Sequence, residues 1–416
     1  MLNKNFNKKV KYTKSYSPIS LKAIPATIVE YEDGIYMLKK DENSKEYKCL
    51  IEKDKDFYYS STKENFHRDK NCFFFIINSS LKCNLDCSFC YETDRNEISL
   101  ANLKSLVKNY ENKTFVLAGK EPTCRKELPE LIRTVAKKNF VSIATNGLKL
   151  SNYSYLKKLK KAGLRHILFS LNALNDDILF KMHGQRVLDK KLRALENIRR
   201  LKIPIILSMT LVRGLNEGEI SKVFSLCAEN PRQFYEIRIR SMTSFGKHSQ
   251  ADSFCLSELT KLVCSKLKID HKNLNHEYKF IDSFNRFLHI RPMIRKSCSN
   301  YFHVKVDSRN YLKSFGDMVY SSNNNLFKKY FLIIYFSYPF VVNFVKNIFR
   351  KNKHFSNPNF IRVSMRSWPN IFNVDLDEVD RKCATCLVNR GVMDSFCLAN
   401  IKRSFNYKKD YGNENL

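Results

Sequence analysis

The chain begins with short segments in which hydrophobic and polar residues alternate. Residues 26–31 and 34–38 form two such runs, and Asp33-Gly34 between them is typical of a tight β-turn. Side chains along a strand point alternately to its two faces, so this pattern indicates strands with one buried face. We therefore predict a small β-ribbon unit over residues 1–66.

Between residues 67 and 250, short hydrophobic runs alternate with longer amphipathic ones. The hydrophobic runs have the length of buried strands and lie at residues 73–77, 114–118, 140–145, 166–171, 205–211 and 236–240. The amphipathic runs have helical periodicity and lie near residues 99–110, 126–138, 153–162, 188–202 and 217–229. Strands alternating with helices favour parallel βα units, which predicts an α/β fold. A partial (β/α)6 TIM-like barrel and a doubly wound sheet both satisfy this periodicity.

The third region, residues 251–416, is less regular and contains a hydrophobic segment at residues 330–345. Pro339 and Asn343 interrupt this segment, which is shorter than the roughly 20 apolar residues that span a bilayer. Its aromatic side chains and the basic residues on either side, within 325–355, are typical of a segment that lies in a membrane interface. A buried helical hairpin in the core fits the same segment and is the favoured interpretation of the two.

The composition excludes some classes of protein, but it does not identify a binding partner. Hydrophobic residues make up 43% of the 416 residues, which excludes a disordered chain. The net charge of +32 fits an anionic partner, either a small substrate, an anionic membrane surface or nucleic acid, and it fits a lysine-rich solvated surface equally well. We find no RNA-binding module in the sequence, so nucleic acid is the least favoured of the three.

The cysteines are best interpreted as reduced. Thirteen cysteines are too few for a disulfide scaffold of this length, and residues 1–13 lack the hydrophobic region of a secretory signal. We therefore expect a cytoplasmic protein. If the 325–355 segment binds lipid, the protein would also attach peripherally to the inner face of the membrane. In a reducing compartment, clustered cysteines are metal ligands or reactive thiols rather than disulfides.

Three cysteines directly after the first predicted barrel strand form the strongest chemical signal. Cys83, Cys87 and Cys90 have the spacing CxxxCxxC. Thiolates are soft ligands that select iron–sulfur clusters or zinc, and a structural zinc site normally has four protein ligands. Three thiolates instead suit a [4Fe-4S] cluster with one iron left open.

This motif, at the end of the first strand of a βα barrel, resembles that of the radical S-adenosylmethionine (SAM) superfamily. The resemblance implies that the open iron binds SAM and that reductive cleavage gives a 5′-deoxyadenosyl radical, which abstracts hydrogen from a substrate. It also implies a low-potential electron donor such as flavodoxin or ferredoxin. Phe89 matches the position that packs near the adenine of SAM.

The ends of the later strands carry further likenesses to the superfamily. Gly119, Glu121 and Pro122 match its Gly-Gly-Glu-Pro motif, which holds the SAM amino group, although Lys120 replaces the second glycine. The resemblance also implies SAM contacts for three residues at the ends of the following strands, namely Asn146, Ser170 at the ribose and Arg213 at the carboxylate.

Both ends of the chain resemble one branch of the superfamily, which includes enzymes like tetraether lipid synthase and the methanopterin-pathway methylase. That branch opens with a metal-binding ribbon, and Ser17 and Ser20 stand where two of its cysteines would be. Serine is a poor ligand for such a metal, so we predict a degenerate ribbon without a metal.

Residues 375–397 resemble the auxiliary-cluster segment of the same branch. The resemblance implies a second [4Fe-4S] cluster in the 251–416 region, with four cysteines as its ligands: Cys298, Cys383, Cys386 and Cys397. This donor set also suits tetrahedral zinc, and an empty, degenerate site is a third interpretation.

These features predict a radical SAM enzyme that forms a carbon–carbon bond or methylates its substrate. The hydrophobic 325–355 segment favours an apolar or lipid-like substrate, and a soluble pterin-like metabolite is the alternative within catalysis. A cluster-binding relative without activity and an RNA-modifying enzyme also fit the sequence, but less well.

Overall fold

The fold was analysed in a computed structural model of the chain. The described residues are 6–62, 74–93, 97–231, 233–243, 252–287, 298–306, 312–322, 360–383, 385–389 and 392–411. The predicted interface segment at 325–355 therefore lies outside the described residues. Within the part of the chain that is described, no helix is both long and apolar enough to cross a membrane.

The N-terminal residues form a four-stranded antiparallel sheet in chain order. Its strands are β1 (Lys8–Tyr16), β2 (Ala23–Tyr31), β3 (Gly34–Lys40) and β4 (Glu46–Glu52), and helix α1 (Lys55–Thr62) follows. The predicted hairpin is present, because Tyr31 pairs with Gly34 across a two-residue turn. The buried face of this sheet packs residues such as Ile28 and Met37 against Tyr58 of α1.

Two loops of this ribbon are joined by a carboxylate. Ser17 Oγ donates a hydrogen bond of 2.7 Å to Glu42 Oε2, and Ser20 Oγ donates to Glu42 Oε1. Hydrogen bonds from Ser20 and Ser17 hold the pKa of Glu42 below its ordinary value, so the carboxylate stays charged. The two serines that replace cysteines in the branch are thus hydrogen-bonded to one side chain, and the absence of a metal from the ribbon stays a prediction.

A second sheet of eleven strands contains the predicted barrel. Its six central strands are parallel neighbours in chain order: β5 (Phe74–Ser80), β6 (Thr114–Gly119), β7 (Phe140–Thr145), β8 (His166–Ser170), β9 (Ile205–Leu211) and β10 (Phe234–Ser241). Each overlaps a strand predicted from the hydrophobic runs. The predicted α/β fold, with a partial TIM-like barrel, is confirmed.

The helices that connect these strands include all five that were predicted and one more. They are α2 (Leu100–Lys108), α3 (Leu128–Ala136), α4 (Tyr153–Ala162), α5 (Asp176–His183), α6 (Leu188–Arg200) and α7 (Glu219–Ala228). Helix α5 was not predicted from the sequence, although both of its ends carry residues typical of helix ends. The Asn175 side chain caps its N-terminus, and Gly184, in a left-handed conformation, ends it.

Strands from the C-terminal region extend the barrel sheet at both edges. On the β10 side lie β11 (Ser299–Val306), β12 (Leu312–Ser314) and β13 (Phe360–Arg366), and on the β5 side lie β14 (Thr385–Asn389) and β15 (Val392–Ser395). The helices of this region are α8 (Leu256–Lys266), α9 (Leu274–Phe287), α10 (Phe315–Ser322), α11 (Leu376–Lys382) and α12 (Phe396–Tyr411). Strand β13 is parallel to β10, and β14 is parallel to β5.

The two faces of the barrel strands differ in chemistry because successive side chains point to opposite sides. The outer face packs in the main hydrophobic core and contributes residues such as Phe75, Phe115, Ile143, Phe169, Met209 and Ile237. The inner face lines a cavity and contributes residues such as Asn78, Ala118, Ala144, Ser170, Thr210 and Arg240. The interior of the barrel therefore combines polar, charged and small apolar side chains and is open enough to receive a ligand.

Gly119 at the end of β6 allows two strands to approach closely. Its φ of +112° lies in a region that side chains with a Cβ rarely adopt, and an added Cβ would lie 2.3 Å from the Ser80 carbonyl oxygen. The same oxygen accepts a hydrogen bond of 2.9 Å from the Lys120 amide. Only glycine fits here without moving the end of β5, which leads into the cysteine loop.

A buried lysine ties together the ends of β7 and β8. Lys191 of α6 is fully buried, and its Nζ donates to the carbonyl oxygens of Asn146 at 2.8 Å and Ser170 at 2.7 Å. Burial lowers the pKa of Lys191 to about 8. The Lys191 ammonium thus holds in place two strand ends that carry predicted SAM contacts. Its burial costs desolvation free energy.

We expect Gly119→Ala to destabilise the protein strongly. The positive φ alone costs roughly 1–3 kcal/mol for a residue with a Cβ, and the clash with the Ser80 carbonyl adds to it. Denaturant unfolding measures the effect. Gly218→Ala is the matched control, because its Cβ would meet nothing within 4 Å. Equal stability of the two variants would contradict this account of the β5–β6 contact.

Lys191 also predicts a pH dependence of stability. Its pKa is about 8 in the folded chain against 10.5 for a free lysine, so the unfolded chain binds more protons between these values and stability rises with pH across this window. Relative to Lys191→Met, the wild type should gain roughly 2 kcal/mol of unfolding free energy from pH 8 to pH 10.5.

The measurement is denaturant unfolding at several pH values, with Lys190→Met as the control. Lys190 is the exposed neighbour of Lys191 on the same helix, so its variant should keep the wild-type pH dependence. A Lys191→Met variant with the same pH dependence as Lys190→Met would show that the Lys191 ammonium carries no such desolvation cost.

Candidate active site

The three predicted cluster ligands lie in one loop that follows β5. Cys83, Cys87 and Cys90 line a cavity of about 380 Å³ at the carboxyl ends of the barrel strands. The loop is anchored to α5, since the Ser88 amide donates to the Met182 carbonyl at 3.0 Å. Parallel strands bring their carboxyl ends to one side of a barrel, which is where such folds place their active sites.

The three thiols that line this cavity fit an iron–sulfur cluster. Among the described residues, no group of three or more His, Cys, Asp or Glu side chains converges closely enough to hold one metal ion. A cubane distributes its cysteines over several irons, so three separated thiols around a cavity suit it. Burial raises the pKa of Cys87 to about 12, so the thiol is neutral without metal and cluster assembly would release a proton.

His183 at the end of α5 contacts this loop, and the sequence analysis did not identify it. Its Nδ1 lies 3.0 Å from Cys87 Sγ, and its ring packs edge-on against Phe89 with centroids 5.5 Å apart. Burial lowers the pKa of His183 to about 3, so the ring is neutral. The Asn172 amide nitrogen is 3.4 Å from Nε2, which makes Nε2 the acceptor and leaves Nδ1–H to donate to sulfur.

Four of the predicted SAM contacts line the same cavity as the cysteines. They are Phe89, Gly119, Asn146 and Ser170. Asn146 is held by a hydrogen bond of 2.9 Å from its Nδ2 to Asn84 Oδ1. The structure thus brings together side chains from the cysteine loop and from the ends of β6, β7 and β8, and their roles toward SAM stay predictions.

Glu121 and Pro122 are buried and do not line the cavity. The Glu121 carboxylate accepts hydrogen bonds from Thr145 Oγ1 at 2.7 Å and from the Asn146 amide at 2.7 Å, and it also accepts from Thr123. It therefore joins the loops after β6 and β7 and positions Asn146. Lys120, in the place of a family glycine, is exposed at the cavity.

Arg213 lies away from the cavity, in contrast to its predicted role at the SAM carboxylate. Its guanidinium forms an ion pair of 3.0 Å with Asp252, lies 3.4 Å from Glu258 and stacks over Phe254. Arg213 thus lies beside two acidic side chains and not among the residues that line the cavity, and its role toward SAM stays a prediction. The arginines that line the cavity are Arg238 and Arg240, which point inward from β10.

The second group of cysteines is brought together only in part. Cys298, Cys383 and Cys397 line a common cavity of about 160 Å³ beside the first one. Cys386 does not join them, because it pairs with Phe75 across β5 and β14 and lies in the hydrophobic core, with its sulfur in a disulfide. The predicted ligand role of Cys386 is therefore not supported, and an auxiliary cluster stays a prediction.

Comparison with known proteins identifies related sequences over the barrel. The chain is 31% identical over 257 residues to 7,8-dihydro-6-hydroxymethylpterin dimethyltransferase of Methanocaldococcus jannaschii, an alignment that covers 53% of this chain and 51% of the relative. It is 25% identical over 260 residues to GTP 3′,8-cyclase of Clostridium acetobutylicum, which covers 59% of this chain and 81% of the relative. The chain thus spans about half the length of the methyltransferase.

Among solved structures, SuiB of Streptococcus suis bound to S-adenosylmethionine matches with a TM-score of 0.40 and 19% identity, over 46% of each chain. Residues 77–227 match the radical SAM superfamily. This range includes the cysteine loop, β6 to β9 and every predicted SAM contact. The match lies over the barrel, in agreement with the resemblance of the cysteine motif to this superfamily.

Proposed function

We propose that this chain is a radical SAM enzyme that acts on a small, polar, pterin-like metabolite. The observation that carries the proposal is the presence of two arginines, Arg238 and Arg240, in the wall of the cavity lined by Cys83, Cys87 and Cys90, which we call the triad cavity. A cavity for a lipid chain would need an apolar wall, because burying charged groups against hydrocarbon is costly. The hydrophobic segment that favoured a lipid-like substrate lies at 325–355, outside the described residues.

The residues of the cavity have separate tasks in this proposal. Cys83, Cys87 and Cys90 would hold the cluster, and His183 would donate a hydrogen bond to the Cys87 sulfur. A donor to a ligand sulfur is one of the means by which proteins set the potential of such clusters. When bound, the cluster and SAM supply a 5′-deoxyadenosyl radical, which takes hydrogen from the substrate.

Side chains at the strand ends would orient SAM beside the cysteine loop. Phe89 provides an apolar ring, Gly119 leaves room for close backbone approach, and Asn146 and Ser170 offer hydrogen-bonding groups at the cavity wall. Lys191 and Glu121 keep the strand ends in place without contacting the ligand. The name of the archaeal relative, a pterin dimethyltransferase, supports methylation of the substrate over other outcomes.

The cleavage of SAM tests the proposal directly. Reconstituted protein given dithionite and SAM under anaerobic conditions should release 5′-deoxyadenosine, and Cys87→Ala should reduce the release to background, because a ligand of the cluster is lost. Chromatographic quantification of 5′-deoxyadenosine measures it.

Cys49→Ala is the control, since Cys49 lies in β4 of the ribbon and outside the cavity. It should keep wild-type activity. Release of 5′-deoxyadenosine by neither the wild type nor the control would mean that the chain is a cluster-binding relative without activity.

A further inference from the structure

The inner faces of β10 and β13 carry an unusual row of arginines. The two strands are parallel neighbours in which Arg238 pairs with Ser364 and Arg240 lies directly opposite Arg366. Like charges opposite each other on neighbouring strands are destabilising. The arrangement is therefore expected only if negative charge lies nearby.

The described residues supply part of that negative charge. Arg238 forms an ion pair of 3.1 Å with Glu236, and Arg403 forms one of 2.8 Å with Glu92. Burial would raise the pKa of Glu236, but the nearby arginines outweigh this and hold it well below its ordinary value. Both carboxylates are thus charged or paired, and each already has an arginine.

Three arginines of this row, Arg240, Arg362 and Arg366, form no ion pair among the described residues. Among the described residues, neither Arg240 nor Arg366 forms an ion pair, and the buried Nε of each has no hydrogen-bond partner. Burial, together with repulsion from Arg238 and Arg362, lowers the pKa of Arg366 to about 9. Arg240 lies over the ring of Trp368, with its guanidinium carbon 5.3 Å from the ring centroid.

Both arginines lie where a substrate would be. Arg240 and Arg366 line the cavity of about 160 Å³ that Cys298, Cys383 and Cys397 also line, which we call the arginine chamber. A phosphate group there takes the place of the auxiliary cluster that the sequence predicts, so the two assignments are alternatives. Three further side chains line the chamber, namely Arg238, Arg403 and Trp368. The chamber shares Gly119, Arg240 and Trp368 with the triad cavity, so the two cavities adjoin. A ligand in the chamber would therefore extend toward the site of hydrogen abstraction.

We propose that the arginine chamber binds a phosphate group of the substrate, with Arg240 and Arg366 as its principal ligands. A phosphate monoester carries a charge of about −1.5 to −2 at pH 7, which matches two guanidinium groups that form no ion pair, whereas one carboxylate supplies only one charge. Guanidinium groups bind phosphate oxygens with paired hydrogen bonds, which would satisfy the free Nε–H donors. The phosphate site extends the proposed function. It rests on that function only in that the ligand is called a substrate.

The test measures binding of inorganic pyrophosphate to the reconstituted full-length protein by isothermal titration calorimetry. Arg366→Gln and Arg240→Gln should each weaken binding by about tenfold or more, because each removes a charge-assisted contact. Arg186→Gln is the matched control: it removes the same charge from an exposed side chain outside the chamber and should bind as the wild type does. Equal affinity in Arg366→Gln and Arg186→Gln would overturn the proposal.

Thermal unfolding separates a binding role from a structural one. Without an anion, Arg366→Gln should melt no lower than the wild type, because it removes an uncompensated charge; with pyrophosphate, only the wild type should gain stability. A lower melting temperature of Arg366→Gln without the anion would show that Arg366 serves the fold instead. Trp368 is the single tryptophan of the chain, so its emission should shift on binding in the wild type and not in Arg366→Gln.

Two further ligands identify the source of the phosphate, since glycerol 3-phosphate in solution and phosphatidylglycerol vesicles both carry a phosphate ester. Binding of glycerol 3-phosphate that depends on Arg366 identifies a soluble substrate. Binding of the vesicles that depends on Arg366 identifies a lipid substrate. Tricarballylate, a polycarboxylate, should bind more weakly than pyrophosphate, and tighter binding would overturn the phosphate assignment. SAM cleavage is not involved in these measurements, so failure of the proposed function and failure of the phosphate site are distinguishable.

Discussion

The alternation of side chains along the parallel strands is the constraint on which the rest of this structure depends. Because each strand directs every second side chain outward, the outer face can be filled by large apolar residues that pack against the helices. The inner face is then free to carry polar and charged groups such as Ser170 and Arg240. One strand sequence thereby supplies both the core that stabilises the barrel and the chemistry of its cavity.

The cavity can be polar only because the groups around it are held by buried interactions. Lys191 and Glu121 have no free side to offer a ligand, yet they connect the ends of β7 and β8 and the loops that lead from β6 and β7. Toward β13 the positive charge exceeds the negative charge, and Glu236 and Glu92 neutralise only part of it. The barrel is thus built to receive negative charge from a ligand.

Periodicity and spacing predicted much of this architecture. The hydrophobic runs located all six barrel strands, and the spacing of Cys83, Cys87 and Cys90 located the cavity. The positions of side chains whose role depends on their direction were harder to predict from the sequence. Arg213 faces two acidic residues and Cys386 faces the core. His183 and Lys191 belong to helices whose contacts with the strand ends exist only in three dimensions.

The central claim is that the loop after β5 holds a [4Fe-4S] cluster through three cysteines. Iron and acid-labile sulfide per chain, measured after anaerobic reconstitution of the wild type and of a variant with Cys83, Cys87 and Cys90 all changed to alanine, test it most directly. The account predicts that the variant loses about four irons and about four sulfides. The same iron content in both proteins would contradict it.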